Sequence, residues 1–258
     1  MEIICKNCEA ENQIEFTYCP QCGQKTQLHR LSLHDIVHEA IHYFTHADKG
    51  LFQLIRDLVI KRGKVAKQFV EGKRKKFYPP LTFFLLVIAM NVFVSTKTDD
   101  HVNVDIQKKY PEVNSIKNPE QRAEWIAIYE RREKGIHFVN TNVNTISMIS
   151  LPIIALIFWL FYRRLGYNYV EHLVAGMYMF GFYTLLTMVI SLTGYLFKVN
   201  ENLIYGICLP LQVVYYTLFY GSFISGRYLR AFFASFLSIL LLFFISGMLM
   251  WVYMFMIR

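Results

Sequence analysis

A helical crossing of a bilayer takes roughly 20 mostly apolar residues. Five stretches in the last two thirds of this chain approach or exceed that length: 77–96, 146–162, 173–197, 203–223 and 231–257. Pro79 and Pro80 open the first, where a missing N–H costs little. The second is the shortest, and Pro152 is expected to kink it. The 258-residue chain is 54% apolar and carries 22 Phe and 17 Tyr, while its charges crowd into residues 1–76 and 97–144. That uneven distribution marks a membrane protein rather than an oily soluble core. The central portions of the five stretches hold no Asp, Glu, Lys, Arg or His, which argues against a proton-coupled transporter. Asn91, Gln212 and scattered Ser, Thr and Tyr are the polar residues left there. Tyr215, Tyr216 and Tyr220 either line a polar cleft or pack in the core. Small residues four apart, at Gly221 and Ser225, Ala231 and Ser235, and Ala234 and Ser238, suit close helix packing.

Orientation follows from Lys and Arg beside the span ends. Lys73, Arg74, Lys75 and Lys76 precede the first stretch, Arg163 and Arg164 follow the second, and Arg227 and Arg230 separate the fourth from the fifth. With five crossings all three clusters fall on one side. The long loop 97–144 then lies opposite, and its eight basic and eight acidic residues cancel. This places the N-terminus in the cytoplasm and the C-terminus outside. The opening residues Met1-Glu2-Ile3-Ile4-Cys5 have neither the basic nor the apolar region of a secretory leader, so none is expected.

The N-terminal segment carries a chemical signature of its own. Cys5-Lys6-Asn7-Cys8 and Cys19-Pro20-Gln21-Cys22 are two C-x-x-C knuckles separated by ten residues. Four thiolates at that spacing suit one tetrahedral structural Zn2+ in a zinc ribbon. Thiols kept for a metal need a reducing compartment, which places the ribbon in the cytoplasm independently of the Lys and Arg count. The fifth cysteine, Cys208, lies in an apolar stretch and reads as a small core residue.

Between ribbon and first span, apolar residues recur with helical spacing three times: Leu33 to Phe44, Leu51 to Val59, and Val65 to Val70, with Gly50, Gly63 and Gly72 at the breaks. From Lys61 to Lys76 eight Lys or Arg face one acid, Glu71. A basic amphipathic segment beside a span is expected to lie on an anionic leaflet, with Lys73, Arg74, Lys75 and Lys76 touching lipid. Positive-inside bias accounts for the cations without nucleic acid. His34, His38, His42 and His46, each four residues on, run along one helix side. They form either a second metal or pH-sensing site or ordinary surface residues. His38-Glu39-Ala40-Ile41-His42 also matches the H-E-x-x-H pattern of zinc peptidases. No third ligand follows at a peptidase spacing; His46 or Asp48 would have to complete the site.

In the loop 97–144, Asn118-Pro119-Glu120 signals a helix start, Trp125, Ile128 and Tyr129 share a face, and Gly135 is expected to close one short helix. The loop shows no catalytic set, and the chain has no Gly-rich phosphate cradle and no nucleophile elbow.

The ribbon, the His-bearing helix running into His46-Ala47-Asp48-Lys49-Gly50, then Gly63-Lys64, then Glu71-Gly72-Lys73-Arg74 and a proline before the first span together resemble a family of bacterial zinc-ribbon multi-pass membrane proteins catalogued as a domain of unknown function. The resemblance covers roughly residues 1–95; beyond them it is only a hydrophobic multi-span profile. It implies a bacterial inner-membrane location and carries no activity. One departure is Arg62, where such proteins often have Pro before the glycine matching Gly63, so the rigid turn is not expected here. The resulting expectation is an all-α membrane protein: a zinc ribbon (1–27), basic amphipathic cytoplasmic helices (28–76) and a five-helix transmembrane bundle (77–258). The leading functional expectation is a non-enzymatic scaffold or regulator whose ribbon docks a cytoplasmic protein partner. The alternatives are a channel, transport or lipid-handling component, and a metal-dependent membrane hydrolase built on the His38–His42 segment.

Overall fold

The computed structural model of the protein describes residues 2–43, 50–98 and 105–256. The chain opens with two three-residue strands, β1 (Glu2–Ile4) and β2 (Glu11–Gln13), paired antiparallel with Ile3 opposite Asn12. Beyond them the regular elements among the described residues are helices. Helix α1 (Leu33–Tyr43) starts at a reciprocal cap. The Ser32 amide donates to the Asp35 carboxylate at 2.9 Å, and the Asp35 amide donates back to the Ser32 hydroxyl at 3.3 Å. Burial would raise the Asp35 carboxyl, but the Ser32 hydroxyl and amide hold it below the usual carboxylate range.

Helices α2 (Gly50–Ile60) and α3 (Lys64–Val70) follow the two further amphipathic stretches. Part of their apolar surface packs on the bundle, while Phe52, Val59 and Ile60 of α2 stay exposed. Leu54, Leu58, Val65, Ala66 and Phe69 are buried in one hydrophobic core with Phe83 and Val87 of α4 (Pro80–Thr98) and with residues of the bundle. The turn between α2 and α3 explains the departure at Arg62. Its φ is +51°, whereas a proline ring fixes φ near −65°, so proline is excluded from this turn. Gly63 follows and lies against the end of α9 (Glu201–Phe223), its amide donating to the Ser222 hydroxyl at 2.8 Å.

Four helices are long and apolar enough to cross a membrane: α7 (Val143–Tyr162) with the turn that extends it to Leu165, α8 (Tyr169–Leu196), α9, and α10 (Tyr228–Met256). The first of the five predicted spans differs, because α4 is apolar only over Pro80–Ser95 and is shorter than these four. Helix α8 is the most enclosed, with α4, α7 and α9 packed around it. Helices α9 and α10 lie side by side with most of the anticipated small residues buried, except Ser225, which is exposed past the end of α9 and accepts from Lys67 Nζ at 2.8 Å. Ala231, Ala234, Ser235 and Ser238 are fully buried, and a side chain at Gly221 would strike the Tyr228 ring. Tyr216 and Tyr220 are enclosed as well, Tyr220 stacked on Phe158 with centroids 3.5 Å apart. The outward faces of α7 and α10 are apolar, with Ile149, Ile153, Phe243, Phe244 and Met248 exposed. A continuous apolar exterior on helices of this length is the surface of an integral membrane protein.

The loop between α4 and α7 is more ordered than its polarity suggested. A short helix, α5 (Ile106–Lys109), and a 3-10 turn lead to α6 (Pro119–Thr141), which runs 23 residues. Asn118 caps it as expected, its side chain accepting from the Glu120 amide. Gly135 does not end it. Instead that glycine lets α6 approach α10, where a Cβ would lie 2.8 Å from Met250 Cγ, and Phe138 stacks on Tyr253 at 4.2 Å. Glu133, buried, accepts from Lys109 Nζ at 2.8 Å and from the Tyr110 hydroxyl.

Candidate metal centre

The two knuckles are built by backbone bonds that curl each C-x-x-C segment around its first cysteine. In the first, the Cys5 amide donates to Ala10 O and the Glu9 amide to Cys5 O, both at 2.9 Å, and Glu9 takes a φ of +64°. In the second, the Cys19 amide donates to Gln24 O and the Gly23 amide to Cys19 O, both at 2.8 Å, with Gly23 at φ +69°. A lone bridge between Tyr18 and Lys25 closes this knuckle. Asn12, buried on β2, donates its Nδ2 to Ala10 O at 3.4 Å.

The result is one cluster. The sulfurs of Cys5, Cys8, Cys19 and Cys22 all lie within 4.8 Å of one another, with Cys5 and Cys22 3.7 Å apart and Cys8 and Cys19 3.6 Å apart. A tetrahedron with metal–sulfur bonds of about 2.3 Å has edges of about 3.8 Å. The donor set therefore fits a metal ion with little movement. Its electrostatics point the same way. Desolvation raises the Cys19 thiol, but the backbone amides of Cys22 and Gln21 more than offset it and bring it down to about 6. At Cys8 the Ala10 amide favours the thiolate, yet desolvation and the three neighbouring sulfurs outweigh it and push the thiol up to about 12. Four thiolates this close cannot all ionise without a cation between them.

Among the described residues, these cysteines are the only group of three or more side chains placed to share a metal. His34 and His38 sit side by side on α1, exposed, with ring centroids 5.8 Å apart and planes 24° apart. His46 and the side chains of Glu39 and His42 lie outside the described residues. Cys208 is half-buried on α9, away from the cluster, and its carbonyl accepts from the Tyr183 hydroxyl at 2.8 Å.

The four cations before α4 divide in two. Lys73 Nζ pairs with Glu9 of the ribbon at 2.9 Å, and Arg74 Nη2 donates to His29 O at 2.9 Å. Lys73 draws the Glu9 carboxyl below its ordinary value, by hydrogen bond first and charge second. The Lys75 and Lys76 side chains are exposed, but their amides are not free. Lys75 N donates to Gln24 Oε1 at 3.1 Å and Lys76 N to Asn7 Oδ1 at 3.0 Å.

Several polar residues of this region were not anticipated. Arg30 forms a two-pronged pair with Glu171 at 3.0 and 2.9 Å, and its guanidinium also reaches Gly166 O. Glu171 is buried and belongs to a capping box with Asn168 at the start of α8. The Asn168-x-x-Glu171 spacing is a readable signal for that cap, whereas its partner 141 residues away is not. Asp57 is buried beside Lys61 at 2.9 Å. His172 is fully enclosed, its ring nearly parallel to those of Tyr162 and Tyr220, and neither ring nitrogen finds a partner.

No curated protein and no solved structure matches the chain. Residues 48–91, which run from α2 through the turn bound by the ribbon and into α4, match the family described as "Protein of unknown function (DUF3667)".

Proposed function

We propose that this chain is a non-enzymatic module of a bacterial inner membrane, a scaffold or regulator, whose cytoplasmic zinc ribbon holds a protein partner. The observation that carries the reading is the asymmetry of the ribbon. One side, with Asn7, Glu9 and Gln24, is spent on the turn before α4. The rest of the ribbon leaves Ile4 69%, Tyr18 58% and Phe16 43% exposed, with Glu11, Glu15, Lys6 and Lys25 also exposed. Exposed apolar side chains of this size, with charges of both signs beside them, suit an apolar anchor brought by a partner protein. An all-sulfur tetrahedral set favours Zn2+ and leaves no open position for catalysis. A photo-crosslinking side chain at Phe16 in intact cells tests the docking. The expected product is a discrete protein adduct that disappears when the neighbouring exposed pair is changed in Ile14→Ser/Glu15→Lys. Adducts with lipid alone, or none, would remove the docking role.

The topology belongs to the same proposal. Helix α4, with 19 residues, rises about 28 Å, close to the roughly 30 Å of a hydrocarbon core. Its Asn91 Nδ2 donates to Asn144 Oδ1 at 2.8 Å, so its far end lies beside the start of α7. Counting it gives five crossings with the N-terminus in the cytoplasm and the C-terminus outside. The exposed side chains of Lys75 and Lys76, with Arg163, Arg164, Arg227 and Arg230, then face the anionic leaflet. A reporter fused after Arg258 is expected to be active only in its extracytoplasmic form; a fluorescent cytoplasmic signal there would reduce the count to four.

A further inference from the structure

We propose that the ribbon is a metal-dependent latch on the turn that leads into α4. The residues that grip this turn lie in or beside the metal knuckles, so the ion that shapes the knuckles also sets the grip. Asn7 sits between Cys5 and Cys8, and its side-chain oxygen accepts from the Lys76 amide. Gln24 follows Cys22 by two residues. Its backbone carbonyl accepts from the Cys19 amide, while its side chain takes the Lys75 amide and donates to Gly72 O. Gln24 is thus bonded to a ligand cysteine on one side and to the turn on the other, and it is buried. Lys6 supplies a packing contact: a Cβ on Gly72, which has φ +117°, would lie 3.1 Å from its Cδ. Glu9, one residue past Cys8, adds the ion pair to Lys73.

The turn's other ties lie at its edges: Arg74 donates to His29 O, Phe77 is buried in the bundle core, and Tyr78 O accepts from the Tyr178 hydroxyl at 2.7 Å. Lys73 N donates to Gln68 O within the preceding helix end, and Phe77 N reaches Arg74 O at 3.4 Å. The amides of Lys75 and Lys76 have the ribbon as their partner. The ribbon in turn has little apolar core of its own, with Cys5 and Cys19 its buried apolar residues. A ribbon of this size depends on its metal for its shape. Without the ion the knuckles open, Asn7 and Gln24 lose their positions, and the turn is released together with Lys73. The bundle does not follow, because α8 and its neighbours are held by the large aromatic core and by the Glu171–Arg30 pair. Coupling of this kind is reciprocal: a partner that pulls the turn away from Asn7 and Gln24 weakens the metal by the same factor.

Hydrogen exchange on the full chain in nanodiscs tests this, with metal content measured in the same samples. The comparison is between protein loaded with Zn2+ and protein stripped by chelator, reading peptides over 72–78 and over 172–182. Removal of the ion is expected to speed exchange in 72–78 at least tenfold and to leave 172–182 unchanged. Asn7→Ala/Gln24→Ala, with all four cysteines intact, is expected to keep one ion per chain and show the same fast exchange at 72–78. Equal exchange with and without the ion would overturn the latch. So would loss of protection in both peptides, since the ion would then be holding the whole fold. Failure to bind Zn2+ at all would remove the metal centre itself, an outcome the metal measurement separates from the other two.

Discussion

Gly63→Ala is expected to cost more than about 3 kcal/mol and to lower the unfolding midpoint in detergent by roughly 6–12 °C. The reason is the nature of the neighbours. A Cβ at this position would lie 2.0 Å from the Phe219 carbonyl oxygen and 2.7 Å from the Phe223 amide nitrogen. Both are backbone atoms near the end of α9, so no side chain can rotate away to make room. Relief requires α3 to lift from α9, which breaks the bond from the Gly63 amide to Ser222 and opens the contact of Val65, Ala66 and Phe69 with the core. Gly206→Ala on α9 is the matched control. Nothing lies within 4 Å of a Cβ there, and alanine is the better helix former by about 1 kcal/mol. Equal stability of the two variants would mean that α3 does not rest on α9 in this way.

How much of this was legible beforehand divides along the range of the interaction. The four cysteines could be read because a chelate imposes its own spacing on the chain, and the structure brings all four sulfurs together. The amphipathic helices could be read because burial of one stripe leaves a period of 3.6 in the sequence. What covers a stripe leaves no local trace. The faces of α2 and α3 are equally suited to a leaflet and to a protein bundle; the approach of the Gly63 backbone to Phe219 accompanies the burial of Val65, Ala66 and Phe69, while Phe52, Val59 and Ile60 of α2 stay exposed. A glycine between two short helices signals a break, and nothing in its neighbours distinguishes a turn from a contact surface. Gly135 shows the converse: it reads as a stop, yet its lack of a side chain is what admits Met250 and Met254 of α10. Helix α6 could not be sized because the surface that carries it past Gly135 belongs to α10, far along the chain. Glu171 is signalled only by the spacing of its cap with Asn168, and His172 by nothing, because α8 is enclosed on all sides over 171–182 and no polar face marks a boundary. The ties of Asn7 and Gln24 to Lys76 and Lys75 span 69 and 51 residues, and polar residues inside a knuckle look alike whether they meet water or a second backbone.

The second large effect concerns the ion. Native chain is expected to hold one Zn2+, and Cys19→Ala to weaken binding by roughly a hundredfold or more, one of four ligands being lost from a site whose total binding free energy is of order 10–16 kcal/mol. Cys208→Ala, on α9 and outside the cluster, is expected to leave affinity unchanged. The pH dependence carries further information because two of the thiols differ in their protonation. Cys8, pushed up to about 12, keeps its proton at neutral pH in the metal-free ribbon, so the ion must expel it. Apparent affinity therefore rises tenfold per pH unit for that proton alone, or about a hundredfold between pH 6 and pH 8. Cys19, down at about 6, is mostly thiolate above that pH and contributes only as the solution becomes more acidic, which steepens the loss below pH 6. Acid thus unloads the ribbon, and base loads it. A competition titration against a chelating dye at pH 5.5, 6.5 and 7.5 measures the slope. A flat profile would show that no ligand thiol carries a proton over this range, which would overturn the raised Cys8 thiol.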